Sequence, residues 1–388
     1  YDGSSWTTTG NSPKSIYNTH GNTVGTQTSG VMSGGSGLSA NPPFGAETVH
    51  YDGSVWAADV NSLQAYTNTG ATWGTQNSHV FAGGATPPTT TLTQEYNVSI
   101  NTITPATWAS STSINTARHL LSGSGTTTAA LAFGGQTSNP AKVNNSEEWD
   151  GSSWSEGNDL GTARSALGGC GSQTASLAFG GDVLPASPRN TTDTEKYDGT
   201  SWSEVNNMST ERRALAGFGT QTAAVAAGGY TTTVSNATEE FDGTNWTNGT
   251  NMPSSQTALV GTGILTAGLV TGGIPGTTLE YDGTNWTSGG SLATSRYYLA
   301  ASGPQTASLV FSGFTPPSTG ATEGYDGTTF SSRPSMATAR YGVGPTSQGP
   351  ATSTFAIAGT PNGTPNVSTV EEFTGEVETV TAKTLTTS

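Results

Sequence analysis

The chain holds little with which to do covalent or metal chemistry. Its four histidines, His20, His50, His79 and His119, are scattered, and none sits in an HExxH spacing. The single cysteine, Cys170, allows neither an intrachain disulfide nor a CxxC pair. In SALGGCGS it reads as a small buried side chain on a strand. No metal and no cofactor is expected. What does recur is charge at fixed places. Arg118, Arg164, Arg212, Arg296 and Arg340 each precede an apolar, Gly-rich run, with Gln256 in the same position once and Lys14 in a looser copy. Glu147, Glu195, Glu239, Glu323 and Glu371 each stand two residues before an aromatic. In a chain only 10% charged, this regularity predicts a ring of Arg–Glu pairs within or between repeats. The alternative use of the same arginines is a cluster for an acidic ligand.

The elements that position these charges are repeats. YDGTNW at Tyr281 is matched at Phe241, Tyr197, Trp149, Tyr51 and Tyr1, nearly at Tyr325, and in worn form at Tyr96 and Phe373. An aromatic, Asp-Gly, two small residues and Trp read as a β-hairpin, since Asp-Gly supplies the positive φ of a tight turn. Successive hairpins are 40–53 residues apart, the length of one four-stranded propeller blade. Each repeat runs in one order, clearest from Met208. STERRALAGFGT is a first strand and TAAVAAGG a second, then come a variable stretch, ATEEFDG as a third strand and TNWTNG as a fourth. Eight first-and-second-strand pairs end at Gly35, Gly84, Gly135, Gly181, Gly229, Gly273, Gly313 and Gly359.

The fold predicted is all-β: one β-propeller over residues 1–388, of eight four-stranded blades, with seven plus an extra element as the alternative. Its blades span about 11–60, 61–110, 111–158, 159–206, 207–250, 251–290, 291–334 and 335–388. The hairpin at 1–10 is then a closure or the remnant of a preceding repeat. The Gly-Gly pairs permit close backbone approach near the axis, and the hairpin aromatics pack between blades.

Totals narrow the function. The aromatics (9 Trp, 12 Tyr, 11 Phe) and 53 Gly fit a folded, turn-rich chain. A net charge of −15 with 12 basic residues lacks the cationic surface that replaces phosphate counterions, so nucleic-acid binding is not expected. No apolar run reaches the length of a membrane span, so neither is membrane insertion.

Strand, strand ending in Gly-Gly, variable loop, aromatic-Asp, turn, Trp and a link to Arg resemble the kelch repeat over nearly the whole chain, with a compressed Tyr-to-Trp spacing. Runs such as GSQTASLAFGG and EKYDGTSW also resemble repeat proteins of marine bacteriophages, found among virion and tail-fibre proteins. The copper oxidases built on kelch propellers need a Tyr/His/Cys constellation, which one Cys and scattered His do not supply. Sialidases, also propellers, carry Ser-x-Asp-x-Gly-x-Thr-Trp, whereas here Asp and Gly are adjacent in every copy. The repeated Asp reads as turn chemistry and offers no paired carboxylates for glycoside hydrolysis. No enzyme is expected.

By topology, the second-to-third-strand loops and the fourth-to-first links share one face. Those loops vary while the scaffold repeats, and recognition tends to sit on such loops. Phe44, Lys142, Arg189, Tyr230 and Phe314 are the ligand-binding candidates there. The phage resemblance implies a virion-surface or extracellular, tail-fibre-associated binding module. Its partners would be host-surface glycan or protein, or other virion subunits. A structural or decoration protein with no ligand of its own is the alternative.

Overall fold

In the computed structural model the described residues are 16–17, 23–33, 36–37, 48–59, 71–75, 78–84, 90–97, 100–138, 140–183, 185, 189–362 and 365–381. The Tyr1–Trp6 hairpin, Lys14, Gly35 and Phe44 lie outside them. Every regular element described is a β-strand, and the repeats fold as antiparallel sheets: seven of four strands and one of three. These eight sheets match the eight strand pairs read from the sequence.

The chain separates into two compact units where one domain was expected. One, residues 1–103 with 378–388, holds a four-stranded sheet (Thr23–Thr26, Ser29–Ser33, Thr48–Tyr51, Trp56–Asp59) and the three-stranded sheet (Ala71–Thr75, Ser78–Gly84, Thr90–Asn97). The other, residues 104–377, is a closed β-propeller ring of six sheets. Five of its blades are contiguous: blade 1 at 122–156, blade 2 at 168–205, blade 3 at 216–248, blade 4 at 257–288 and blade 5 at 300–333. Blade 6 takes Gly344–Pro345, Ser353–Gly359 and Val367–Thr374 from the end of the ring, and its outermost strand, Thr107–Ser111, from the beginning.

That closure corrects the expected boundaries, which placed most of Thr107–Ser111 in a blade at 61–110. In the other hairpins the aromatic faces the Trp, as Phe241 faces Trp246. The hairpin at Phe373 has no Trp of its own, and Trp108 arrives to face Phe373 instead. The segment after Phe373, Val377–Thr381, pairs with Ile100–Thr104.

Two rings of backbone hydrogen bonds close the propeller at its axis. In the first, Ala166 N donates to Leu120 O, Ala214 to Ala166, Ala258 to Ala214, Tyr298 to Ala258, Gly342 to Tyr298 and Leu120 to Gly342, at 2.7–2.9 Å. All six residues have φ between 50° and 62°. For the five that are not glycine this left-handed backbone costs on the order of 1 kcal/mol each. It is held because it turns each N–H and C=O toward its neighbours around the axis. In the second ring, the last Gly of each second strand donates to the next blade's Arg or Gln carbonyl, from Gly135 N to Arg164 O (2.9 Å) round to Gly359 N to Arg118 O (2.9 Å). A Cβ at Gly229 would lie 2.8 Å from Arg213 O, which is why this place takes glycine.

The predicted Arg–Glu ring is present, and its pairs lie within blades. Arg164 meets Glu195 at 2.8 Å, Arg212 meets Glu239 at 2.9 Å and Arg296 meets Glu323 at 2.6 Å. Arg118–Glu147 and Arg340–Glu371 are longer, at 3.3 and 3.4 Å. All ten side chains are buried. Burial pushes the Arg164 and Arg212 pKa down, and the partner carboxylate opposes it. Each glutamate also accepts a backbone N–H from the link entering its own blade, as from Ser209 N to Glu239 at 2.7 Å. Each arginine reaches a second-strand carbonyl, as Arg212 reaches Ala226 O at 3.2 Å. In blade 4 arginine and glutamate are replaced together, by Gln256 and Leu279, so no buried charge is left unmatched.

The aromatics bind one blade to the next, as expected. Trp202, Trp246, Trp286 and Trp108 each donate Nε1 to a Ser or Thr hydroxyl of the preceding blade, at 2.9–3.2 Å. Three of them lie 5.0–5.1 Å from a Phe of that blade and Trp286 lies 6.5 Å from one. A second interlock escaped the sequence reading. The hydroxyls of Tyr197, Tyr281 and Tyr325 donate to Glu148, Glu240 and Glu280 of the preceding blades. Where that preceding residue is Lys196 or Gly324, the partner is Phe241 or Phe373, with Lys196 Nζ 5.2 Å from the Phe241 ring centre. At the seam between blades 5 and 6, Gly324, Phe373 and Ala351 line a cleft of about 710 Å³.

In the turns, Asp150 Oδ1 accepts from Ser152 N (2.7 Å) and Ser153 N (2.8 Å), with Gly151 at φ 97°. These bonds hold the exposed Asp150 carboxyl down to about 2. The DG aspartates are turn residues, as read.

Denaturant unfolding checks these contacts. Glu239→Leu alone strands a buried guanidinium and is expected to cost about 3–5 kcal/mol. Adding Arg212→Gln, which rebuilds the blade 4 arrangement, is expected to recover most of that loss. Trp108→Ala, which removes a ring packed on Phe311 and Phe373, is expected to cost about 3 kcal/mol.

Candidate functional site

The register that closes the ring also builds a site. The residue after each Arg or Gln pairs with the residue after each Gly-Gly, or after its counterpart. The pairs are His119 with Gln136, Ser165 with Asp182, Arg213 with Tyr230, Thr257 with Ile274, Tyr297 with Phe314 and Tyr341 with Thr360. Lys142, Asn190, Val234 and Ser318 add a third position in four blades. These positions surround the axis on the variable-loop face. Lys142, Tyr230 and Phe314 are three of them, and Arg189 precedes a fourth, so four of the five sequence candidates converge on one mouth.

The mouth has a charged arc and an aromatic arc. In the first, Asp182 Oδ2 accepts from Arg189 Nη2 at 2.7 Å and Nε at 3.1 Å, with Lys142 Nζ 3.7 Å away. Lys142 donates to Gln136 Oε1 at 2.6 Å, and Gln136 Nε2 is 3.0 Å from His119 Nε2. Arg213 donates Nη1 to Asn190 Oδ1 at 2.6 Å and lies 4.5 Å from the Tyr230 ring centre. In the second arc, Phe314 is 5.4 Å from Tyr297 and 5.0 Å from Tyr341, and Tyr298 stacks on Tyr341 at 6.2 Å. His119 meets Tyr341 edge-on at 6.1 Å. Burial raises the Tyr298 hydroxyl pKa, and Arg213 and Arg189 of the charged arc oppose it.

Burial and like charge tune the groups. Burial lowers the Lys142 pKa, Asp182 opposes this, and Arg189 and Arg213 lower it further. Arg213 is lowered by burial and by Arg189, whereas the hydrogen bonds to Asp182 raise Arg189. Burial raises Tyr298 and Tyr341 and lowers His119.

The loops around the mouth hold one another. Asn190 Nδ2 donates to Thr231 O at 2.9 Å, Ser318 Oγ donates to Asn362 Oδ1 at 2.8 Å and Asn366 Nδ2 donates to Gln136 O at 2.9 Å. The opposite mouth is built differently. There the blade 6 loop spans the axis, Gln348 donating N to Gly125 O at 3.1 Å and Nε2 to Gly219 O at 2.7 Å. Between the two mouths lies an axial cavity of about 90 Å³, lined largely by Gly, Ala and Leu.

Arg213, Tyr297, Tyr341 and His119 were missed as candidates. Their signal was the one hypervariable position in a constant frame: after the repeated Arg or Gln, the copies read His, Ser, Arg, Thr, Tyr and Tyr. Cys170 is buried in the first strand of blade 2, where burial pushes its thiol pKa up. Among the described residues, no three His, Cys, Asp or Glu side chains gather as a metal site, and no helix is long and apolar enough to cross a membrane.

A titration checks this geometry. His119 is expected to titrate below 6.5 by NMR, because burial disfavours its charged form. Its contribution to stability is then complete above about pH 6.5 and is lost as pH falls through the lower folded-state midpoint.

Comparison with known protein families and with curated proteins finds no match.

Proposed function

We propose that the protein is a non-enzymatic binding module that holds a host-surface glycan or protein at the variable-face mouth of its ring. The observation that carries this is the contrast between the two ends of one axis. At one end a loop ties opposite blades together. At the other, rings and charged side chains converge from different blades, at the positions where the repeat does not repeat. Flat aromatic faces beside fixed donors and acceptors are how proteins hold saccharides and peptide segments. In this reading the chain is a kelch-like propeller of a bacteriophage particle, displayed on a tail fibre or other virion surface. The resemblance of its repeats to such proteins supports the setting.

A glycan array and a host-cell binding assay test it, with Tyr297→Ala/Phe314→Ala compared with the unaltered protein. Binding by the unaltered protein and at least tenfold weaker binding by the folded variant is the expected result. Absence of binding to every glycan and cell surface would move the reading to a structural or decoration protein docked on other virion subunits.

A further inference from the structure

The distribution of positive charge narrows what the mouth holds. Of the 12 basic residues, five arginines are in the buried pairs of the blades. Lys196 covers Phe241 at a blade seam, and Arg333 lies exposed on the outer strand of blade 5. Lys14 and Lys383 lie outside the described residues. The remaining three, Lys142, Arg189 and Arg213, are all at the mouth.

Among the described residues those three meet one carboxylate, Asp182, which takes both hydrogen bonds of Arg189 and lies 3.7 Å from Lys142. Arg213 bonds to no carboxylate among the described residues: it lies over the Tyr230 ring and spends Nη1 on Asn190. The local excess is therefore two positive charges, three minus one, in a chain of net charge −15. Such crowding is unfavourable alone: burial lowers both Lys142 and Arg213, Asp182 opposes this, and Arg189 lowers each of them further. An anion between them would relieve it. A guanidinium held over an aromatic ring and bonded to Asn190 has its fork fixed in place, which suits a planar carboxylate. Across the mouth, Phe314 meets Tyr297 and Tyr341 edge-to-face, and a ring of this half-buried cluster suits the C–H face of a pyranose.

We infer that the mouth binds an acidic sugar, its carboxylate drawn to Arg213 and the exposed Arg189, with the buried Lys142 contributing charge from beneath, and its ring laid against the aromatic arc. This rests on the glycan reading above and narrows it to uronate- or nonulosonate-bearing saccharides.

The test is calorimetric titration of the full chain with trigalacturonate and N-acetylneuraminyl-lactose, each beside its carboxyl-reduced form, and with glucose 6-phosphate. Binding of at least one acidic sugar is expected, with loss of at least tenfold on carboxyl reduction. Raising the salt from 50 to 500 mM is expected to weaken that binding severalfold. Arg213→Gln is expected to lose at least tenfold, while Arg333→Gln, which removes the same charge from the rim, leaves affinity unchanged. If Arg213→Gln does not fold, the comparison of acidic with reduced sugar decides alone. Equal binding of acidic and reduced forms would overturn the acidic specificity and leave the glycan reading standing. Binding of the phosphorylated sugar alone would overturn the carboxylate class. No binding of any saccharide, here or on the array, would overturn both.

Discussion

The structure depends on the hydrogen-bonded ring of Leu120, Ala166, Ala214, Ala258, Tyr298 and Gly342 around the axis. Each blade donates one N–H and offers one C=O there, so the groups are satisfied only when the circle is complete. The requirement forces five side-chain-bearing residues into left-handed backbone. The neighbouring features compensate. The buried arginine two residues earlier ties the same segment to its own blade. The glycine of the adjacent blade accepts the close approach. The Trp and Tyr interlocks hold the blades at that spacing farther out. Strand Thr107–Ser111 supplies the last of these contacts, through Trp108, from the opposite end of the ring.

What could be read from the sequence was whatever repeats. The four-strand order, the Asp-Gly turns, the Arg–Glu pairs and the packing role of the aromatics each recur often enough for one copy to explain the others. The eight sheets were equally legible. Which sheets share a closure was not, because it depends on a pairing more than 250 residues apart, between Trp108 and Phe373, that no local pattern encodes. The missing Trp at Phe373 and the surplus Trp108 were the only written trace. The Tyr–Glu interlock was present in the sequence as a correlation: Tyr follows a blade with Glu148, Glu240 or Glu280, and Phe follows one with Lys196 or Gly324. It is invisible when each repeat is read by itself.

The candidate site divides the same way. Lys142, Arg189, Tyr230 and Phe314 stood out because they lie in loops that vary. Arg213, Tyr297 and Tyr341 were hidden inside an apparently constant motif, immediately after the structural Arg. That placement is a consequence of the ring. The residue before each left-handed position is at the axis whatever its identity, so substitution there changes the mouth without disturbing the blade. Structural charge and mouth charge are thereby kept in adjacent residues with different tasks, as Arg212 in its buried pair and Arg213 over Tyr230 illustrate.

The most direct measurement is a crystal structure of the protein grown with an acidic oligosaccharide. Density for a pyranose ring against Tyr297, Phe314 and Tyr341, with its carboxylate at Arg213, is the predicted result. Density confined to a blade seam or the outer rim, or an empty mouth at saturating sugar, would contradict the assignment of recognition to the axis.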